Sequence, residues 1–257
     1  MTIDKKEAGI SALKMLFSTI PYAGQLLNEI IFDYRGRIKQ NRLNNFTELL
    51  SDFFNIHPDI DLENLKSEDF SDVFELVIIK VANTKSLAKQ KRFRDILTHH
   101  ILYPRSSTDN AEIYLQLVAE LNETAINILS QYQRFSIESQ KISQQLQELD
   151  KRRQCLASYH TNITSDQLDE QNQRQIEEQI VDIDKQIEAL NTYNESIQDF
   201  KKAEFYQITE GEFLYNKQML SAKALLVDNG MSYFDIKPFQ AMSITEFGDL
   251  FIRFILN

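Results

Sequence analysis

With 257 residues, 42% of them apolar and 11% aromatic, the chain is long enough for two modest domains or one domain carrying an insertion, and it can bury a real core. Six Gly and four Pro exclude a turn-rich sheet protein and favour long helices, while a single cysteine, Cys155, excludes an internal disulfide framework and fits a reducing compartment. A net charge of −10 disfavours broad nonspecific phosphate binding, which needs massed Lys and Arg, and leaves a local basic face open.

The first seven residues mix both charges, and no small-residue cleavage site follows a clean apolar core, so no secretory leader is expected and the expected location is cytoplasmic. From Ala8 to Phe32 the chain is at its most apolar, but Lys14, Pro21, Gln25, Asn28 and Glu29 interrupt it. A pair of helices packed on a core is the favoured reading of residues 8–32, and a membrane-acting segment is the alternative. Pro21 ends a first helix over Lys5 to Ser18 and opens a second that reaches Asn55, with Leu27, Ile31, Tyr34, Ile38, Phe46, Leu49 and Phe53 at helical spacing. His57-Pro58-Asp59 breaks it. After a loop, Ser67 is a good N-cap for a helix with Phe70, Val73, Phe74, Val77, Ile78 and Val81, apolar on more than one side and so central to an N-terminal bundle.

The next helix, Ser86 to His100, is the one concentrated basic stretch, closed by Pro104. Its Arg94-Asp95-Ile96-Leu97-Thr98-His99 matches the arginine, gap, histidine pattern of HEPN-type ribonucleases. There His and Arg polarise an RNA 2′-hydroxyl and stabilise charge at phosphorus without a metal. The opposing reading is a solvated basic face whose histidine suits a helix C-terminus. Lys89, Lys91, Arg92 and Arg94 are the residues through which nucleic acid would be held. Adjacent His99 and His100 cannot share one metal from one helical face, and no paired Cys, Gly-rich phosphate loop or nucleophile elbow occurs, so no metal or cofactor is expected.

Ser106 to Asn110 reads as a boundary, followed by a helix over 111–131 with Tyr114, Leu117, Val118, Leu121, Ile126 and Leu129 apolar. Residues 132–202 then carry the organising pattern. Ile176, Ile180, Ile183, Ile187, Leu190 and Ile197 step by four and three, with Asn194 filling the polar position of the stripe. Phe135, Ile142, Leu146, Leu149 and Leu156 form a weaker stripe interrupted by Ser139 and Arg153. The polar run Ser158 to Ser165, with Thr164 and Gln167 as a capping box, supplies a reversal, so an antiparallel coiled-coil hairpin ~40–55 Å long is expected. Beyond Lys202 the order is a helix over 211–227, a Gly230 turn, short alternating segments at 233–236 and 239–244, and a last helix from Thr245. Ser243 and Glu246 read as its capping box, and Phe247, Leu250, Phe251, Phe254 and Ile255 as its buried face. A would-be recognition helix with only Lys217 and Lys223 favours protein contacts over base readout.

The expected fold is therefore mainly α: an N-terminal helical bundle (1–105) and a coiled-coil hairpin arm (132–202) inserted into a small winged-helix-like α+β module (111–131 with 203–257). The segments Ile20-Pro21-Tyr22-Ala23-Gly24 with Arg37 and Arg42, Lys91-Arg92-Phe93-Arg94-Asp95-Ile96-Leu97, and Ser243-Ile244-Thr245-Glu246-Phe247-Gly248-Asp249-Leu250-Phe251 together resemble the layout of abortive-infection alpha-type (Abi-alpha-like) bacterial proteins. The resemblance implies a cytoplasmic role in antiphage defence as one subunit of a system, and carries no catalytic residues. The leading expectation is a non-enzymatic accessory or adaptor protein that binds a protein partner or itself through the arm and the C-terminal module. The alternatives are a metal-independent ribonuclease effector using Arg94 and His99, and a membrane-acting effector using residues 8–32.

Overall fold

The computed structural model describes residues 36–57, 67–103, 108–162, 170–232 and 237–256. Among them are eight α-helices and one two-stranded antiparallel sheet near the C-terminus, in two compact units, Met1–Asn122 with Arg253–Asn257 and Glu123–Ile252. The expectations for residues 8–32, for the loop after His57, for Pro104, for the Thr164 capping box and for the segment 233–236 lie outside the described residues.

In the first unit, α1 (Gly36–Ile56), α2 (Glu68–Asn83), α3 (Leu87–Leu102) and α4 (Thr108–Glu120) pack on one another. Ser67 caps α2 by accepting the Phe70 amide at 3.2 Å, with Glu68 and Asp69 in the first turn complementing the helix dipole. The residues Phe70, Val73, Phe74, Val77, Ile78 and Val81 are all buried, as the helical spacing requires. Each such side chain contributes ~1.5–3 kcal/mol of burial. Ser86 caps α3 through the Lys89 amide. Two cations close helix ends: Arg42 Nη1 donates to the Ala82 carbonyl at 2.7 Å at the end of α2, and Lys89 Nζ to the Ala119 carbonyl at 2.6 Å at the end of α4. On α1 the buried residues are Leu43, Phe46, Leu50 and Phe54, whereas Ile38 is exposed, so the core-facing stripe lies one residue on from the expected Leu49 and Phe53.

The helix expected over 111–131 is two helices. Leu121 and Asn122 interrupt it, α4 packs on α2 and α3, and α5 (Glu123–Asn162) then runs unbroken for 40 residues. The first turns of α5 are core, with Ala125, Ile126, Ile128, Leu129 and Tyr132 buried. From Gln140 to Tyr159 only Ile142, Leu146, Leu149 and Leu156 escape full exposure. α6 (Glu170–Ser196) matches it, because from Ile176 to Ser196 only Ile176, Ile180, Ile183, Ile187, Leu190 and Asn194 are screened from solvent. Arg153 meets Asp184 at 2.6 Å and Tyr193 meets Glu138 at 3.5 Å, so rising numbers on α5 meet falling numbers on α6. The expected reversal at 158–165 starts later than Ser158, since α5 stays helical to Asn162.

Two short 3₁₀ turns follow, Ile197–Lys201 and Ala203–Tyr206, and then α7 (Glu210–Ala222), opened by a full capping box between Thr209 and Glu212. α7 ends earlier than its expected limit of Val227. Leu225 N donates to the Leu220 carbonyl and Ala224 N to that of Ser221, a Schellman motif with Ala224 at φ 57° where glycine is usual. Residues Leu226–Asp228 form β1, paired antiparallel with β2 (Met242–Ile244) in the register Leu226 with Ile244 and Asp228 with Met242. The first strand thus lies before Gly230. α8 (Glu246–Leu256) is capped by Thr245, not Ser243: Thr245 Oγ1 accepts the Gly248 amide at 2.9 Å and donates to the Ala224 carbonyl at 2.7 Å, while Ser243 accepts from the Asn229 amide group. Its buried residues are Gly248, Phe251, Ile252 and Ile255; of the expected face, Phe247 and Phe254 are half-buried and Leu250 is 52% exposed.

Candidate functional site

The basic helix α3 places its residues unevenly. Arg94 holds the carboxylate of its neighbour Asp95, with Nε at 2.8 Å and Nη2 at 2.5 Å from the same oxygen. His99 lies in an aromatic contact, 4.7 Å from the Tyr103 ring and 4.7 Å, edge-on, from that of Phe254. Five residues at 3.6 per turn separate Arg94 and His99 by ~140° around the helix, and no contact joins them. Of the four cations expected to hold nucleic acid, Lys89 closes α4, Arg92 is buried and Arg94 holds Asp95, while Lys91 faces solvent. Among the described residues no group of three His, Cys, Asp or Glu side chains converges as a metal site would. None of the described helices is long and apolar enough to cross a membrane.

Burial lowers the pKa of His99, and His100 lowers it further; burial also lowers that of His100, partly offset by Asp69. His100 is 4% exposed and lies along the Phe70 ring. Since the unfolded chain then binds more protons than the folded one, stability is constant above the unfolded value of 6.5 and falls as the pH drops below it. Amide exchange in α2 and α3 is expected to quicken between about pH 7.5 and about pH 5.5, after correction for the intrinsic rate, and His100→Phe is expected to reduce that quickening. An undiminished response in His100→Phe would assign the acid sensitivity to other groups.

The second unit holds a buried polar centre that the sequence reading passed over. Lys217, 8% exposed, donates to the Phe239 carbonyl at 2.7 Å and sits 4.4 Å from the Phe213 ring centroid. Asp228 accepts the Phe239 amide at 2.6 Å and the Gly230 amide at 2.9 Å. Phe239 has φ 63°, an uncommon left-handed conformation for an aromatic residue, and both of its peptide groups are held. Burial lowers the Lys217 pKa against the pull of Glu210 and Asp228, and raises those of Tyr132 and Tyr206, whose hydroxyls are enclosed without a protein partner. The arrangement fastens the turn before β2 to α7. One signal for it was present, because Lys217 falls at helical spacing between Phe213 and Leu220.

Ile137, Tyr159, Val181 and Tyr193 are large apolar residues 39–56% exposed outside the screened stripe, and Cys155 is exposed among them. At the base, Phe135, Ile197, Phe200 and Phe205 floor a cleft of about 160 Å³ rimmed by Arg134, Glu138 and Asp199. Lys201 Nζ stands 4.7 Å from the Phe135 ring centroid, and burial lowers its pKa. Neither a family model nor a curated protein nor a solved structure matches the chain.

Proposed function

We propose that the chain is a non-enzymatic helical interaction protein. On this reading α5 and α6 form an antiparallel coiled-coil hairpin inserted in a winged-helix-like C-terminal module, and the flanks of the hairpin together with that module bind a protein partner or a second copy. The observation that carries it is the burial pattern along both helices. The apolar stripe is consumed by the contact between α5 and α6, and every other position from Gln140 to Tyr159 is presented to solvent. A surface of that length, with isolated apolar residues in a charged field, suits docking of another polypeptide. The ribonuclease alternative draws no support from α3, where Arg94 and His99 are each held by other neighbours. A cytoplasmic setting in bacterial antiphage defence, as an accessory subunit, rests on the resemblance of the short segments quoted above.

The test is a chain with residues 142–155 and 180–193 excised, two heptads from each helix, which keeps the apolar stripe in phase. In producing cells, amine cross-linking of the intact chain through Lys141, which both forms keep, is expected to yield links to a second polypeptide chain, and the shortened chain to lose them with its helicity otherwise retained. Links confined to the hairpin's own residues would remove the reading.

A further inference from the structure

Resting on that interaction reading, we infer that the outward face of α7 docks a basic amphipathic segment of a partner polypeptide. α7 buries Phe213, Asn216, Lys217 and Leu220. At 3.6 residues per turn, Gly211, Tyr215, Gln218 and Ala222 gather within ~60° on the opposite side, at the spacing of a helix packing face. All four are exposed, Tyr215 at 60%, and Leu214 beside it is 40% exposed. A tyrosine and a leucine set between small residues offer a partner a raised anchor with room for close approach on either side.

Gly211 is the residue that its own chain does not explain. Glycine weakens a helix relative to alanine and is kept where a left-handed φ or a close approach requires it. Gly248 has such a reason in the Leu225 carbonyl. Gly211 has none: it lies inside α7, its φ is not positive, and beyond its own helix nothing stands within 4 Å of the place a Cβ would take. The close approach that it permits is from outside the chain.

The charge of the partner follows from the charges around the anchor. Between Ala203 and Asn216 the charged residues are Glu204, Glu210 and Glu212, and all three are exposed. Glu212 stays ionised, because the Thr209 amide and hydroxyl that donate to it lower its pKa. The cations bounding this stretch are engaged: Lys202 holds Asp199 at 2.7 Å, and Lys217 is turned inward onto the Phe239 carbonyl. The next, Lys223, is half-buried past the far end of the face. A cation on the partner gains from this field, whereas an acidic peptide or a phosphate backbone is repelled.

The experiment is fluorescence anisotropy of labelled peptides on the full chain. The probes are a helical Leu/Lys peptide with leucines on one face, its Leu/Glu counterpart, and oligolysine. The Leu/Lys peptide is expected to bind at least ~10-fold tighter than either of the others. Tyr215→Ser, Gly211→Trp and Glu210→Lys are each expected to weaken it ~10-fold or more, while Glu188→Lys, the same charge change on α6, leaves it within ~2-fold. Gly211→Trp meets open space and Tyr215→Ser alters an exposed position, so both are expected to keep the helicity and melting midpoint of the unaltered chain. Gly211→Ala is expected to slow amide exchange in α7 by up to ~5-fold. Equal binding of the Leu/Glu peptide, unchanged affinity in Gly211→Trp or Tyr215→Ser, or a destabilised Gly211→Ala overturns the inference. So does a dimer of the intact chain that Gly211→Trp abolishes, which would put a second copy on the face. Lys141 cross-links to another polypeptide that persist while the peptide fails to bind would sink this inference alone; with no links to any second chain, the interaction reading falls as well.

Discussion

Replacing Gly248 with alanine is expected to destabilise the C-terminal part of the second unit by about 3 kcal/mol or more, the upper end of overpacking costs. Helix propensity predicts the opposite sign, a gain of about 1 kcal/mol for Gly→Ala inside a helix. Packing decides. A Cβ at Gly248 would overlap the Leu225 carbonyl oxygen and stand 3.0 Å from its carbon and 3.1 Å from Ile244 Cγ1. The Leu225 carbonyl cannot swing away, because it accepts from Thr245 N at 3.1 Å and from the Thr245 hydroxyl at 3.2 Å, the contacts that seat the start of α8 against the end of α7. Thermal unfolding and amide exchange in β1, β2 and α8 check it. An unchanged or raised midpoint would mean that α8 stands further from β1 than described.

Ile183→Asp is expected to detach α6 from α5. Ile183 is 2% exposed, and losing a buried isoleucine side chain alone costs about 2–5 kcal/mol, to which an enclosed carboxylate adds desolvation. α6 has little else to hold it, since its exposed positions are, Val181, Ala189 and Tyr193 apart, polar or charged and an isolated helix of such composition is marginal in water. The measurable result is a drop in far-UV ellipticity with fast amide exchange from Gln175 to Tyr193, while α1 to α4 keep their protection. Thr192→Asp, on the exposed face of the same helix, is the control expected to leave exchange unchanged. Equal effects of the two substitutions would mean that the stripe of α6 is not what holds it.

Where periodicity and caps act locally, the sequence was legible. The α6 stripe, the all-buried α2 and the serines at 67 and 86 depend on spacing and hydroxyl chemistry within one element. Misreadings arose where two adjacent residues were equally good. Leu49-Leu50 and Phe53-Phe54 leave the phase of α1 undecided until α2 and α3 choose Leu50 and Phe54. Leu121 is fully buried, so the apolar period runs straight through the break between α4 and α5, with no Gly or Pro to mark it. Ala224 ends α7 in a conformation that normally announces itself as glycine, and the apolar Leu225-Leu226-Val227 then reads as more helix rather than a strand. Ser243 and Thr245 are both credible caps for α8, and only the tie to the Ala224 carbonyl selects Thr245. At the candidate sites, residue counts showed a basic α3 but not that Lys89 would reach the Ala119 carbonyl. The fastening of Phe239 by Lys217 and Asp228 joins residues from separate elements that no local pattern links.

The continuity of α5 has a mechanical consequence. Its first turns are embedded beside α7 and β2, and the same helix carries the exposed stretch to Asn162 without proline, glycine or any break that could act as a hinge. Thirty residues beyond Tyr132 amount to a lever of ~45 Å, so a tilt of about 10° where the helix is seated would carry its far end through ~8 Å. A load applied at the distal end would therefore work against the packing around Tyr132.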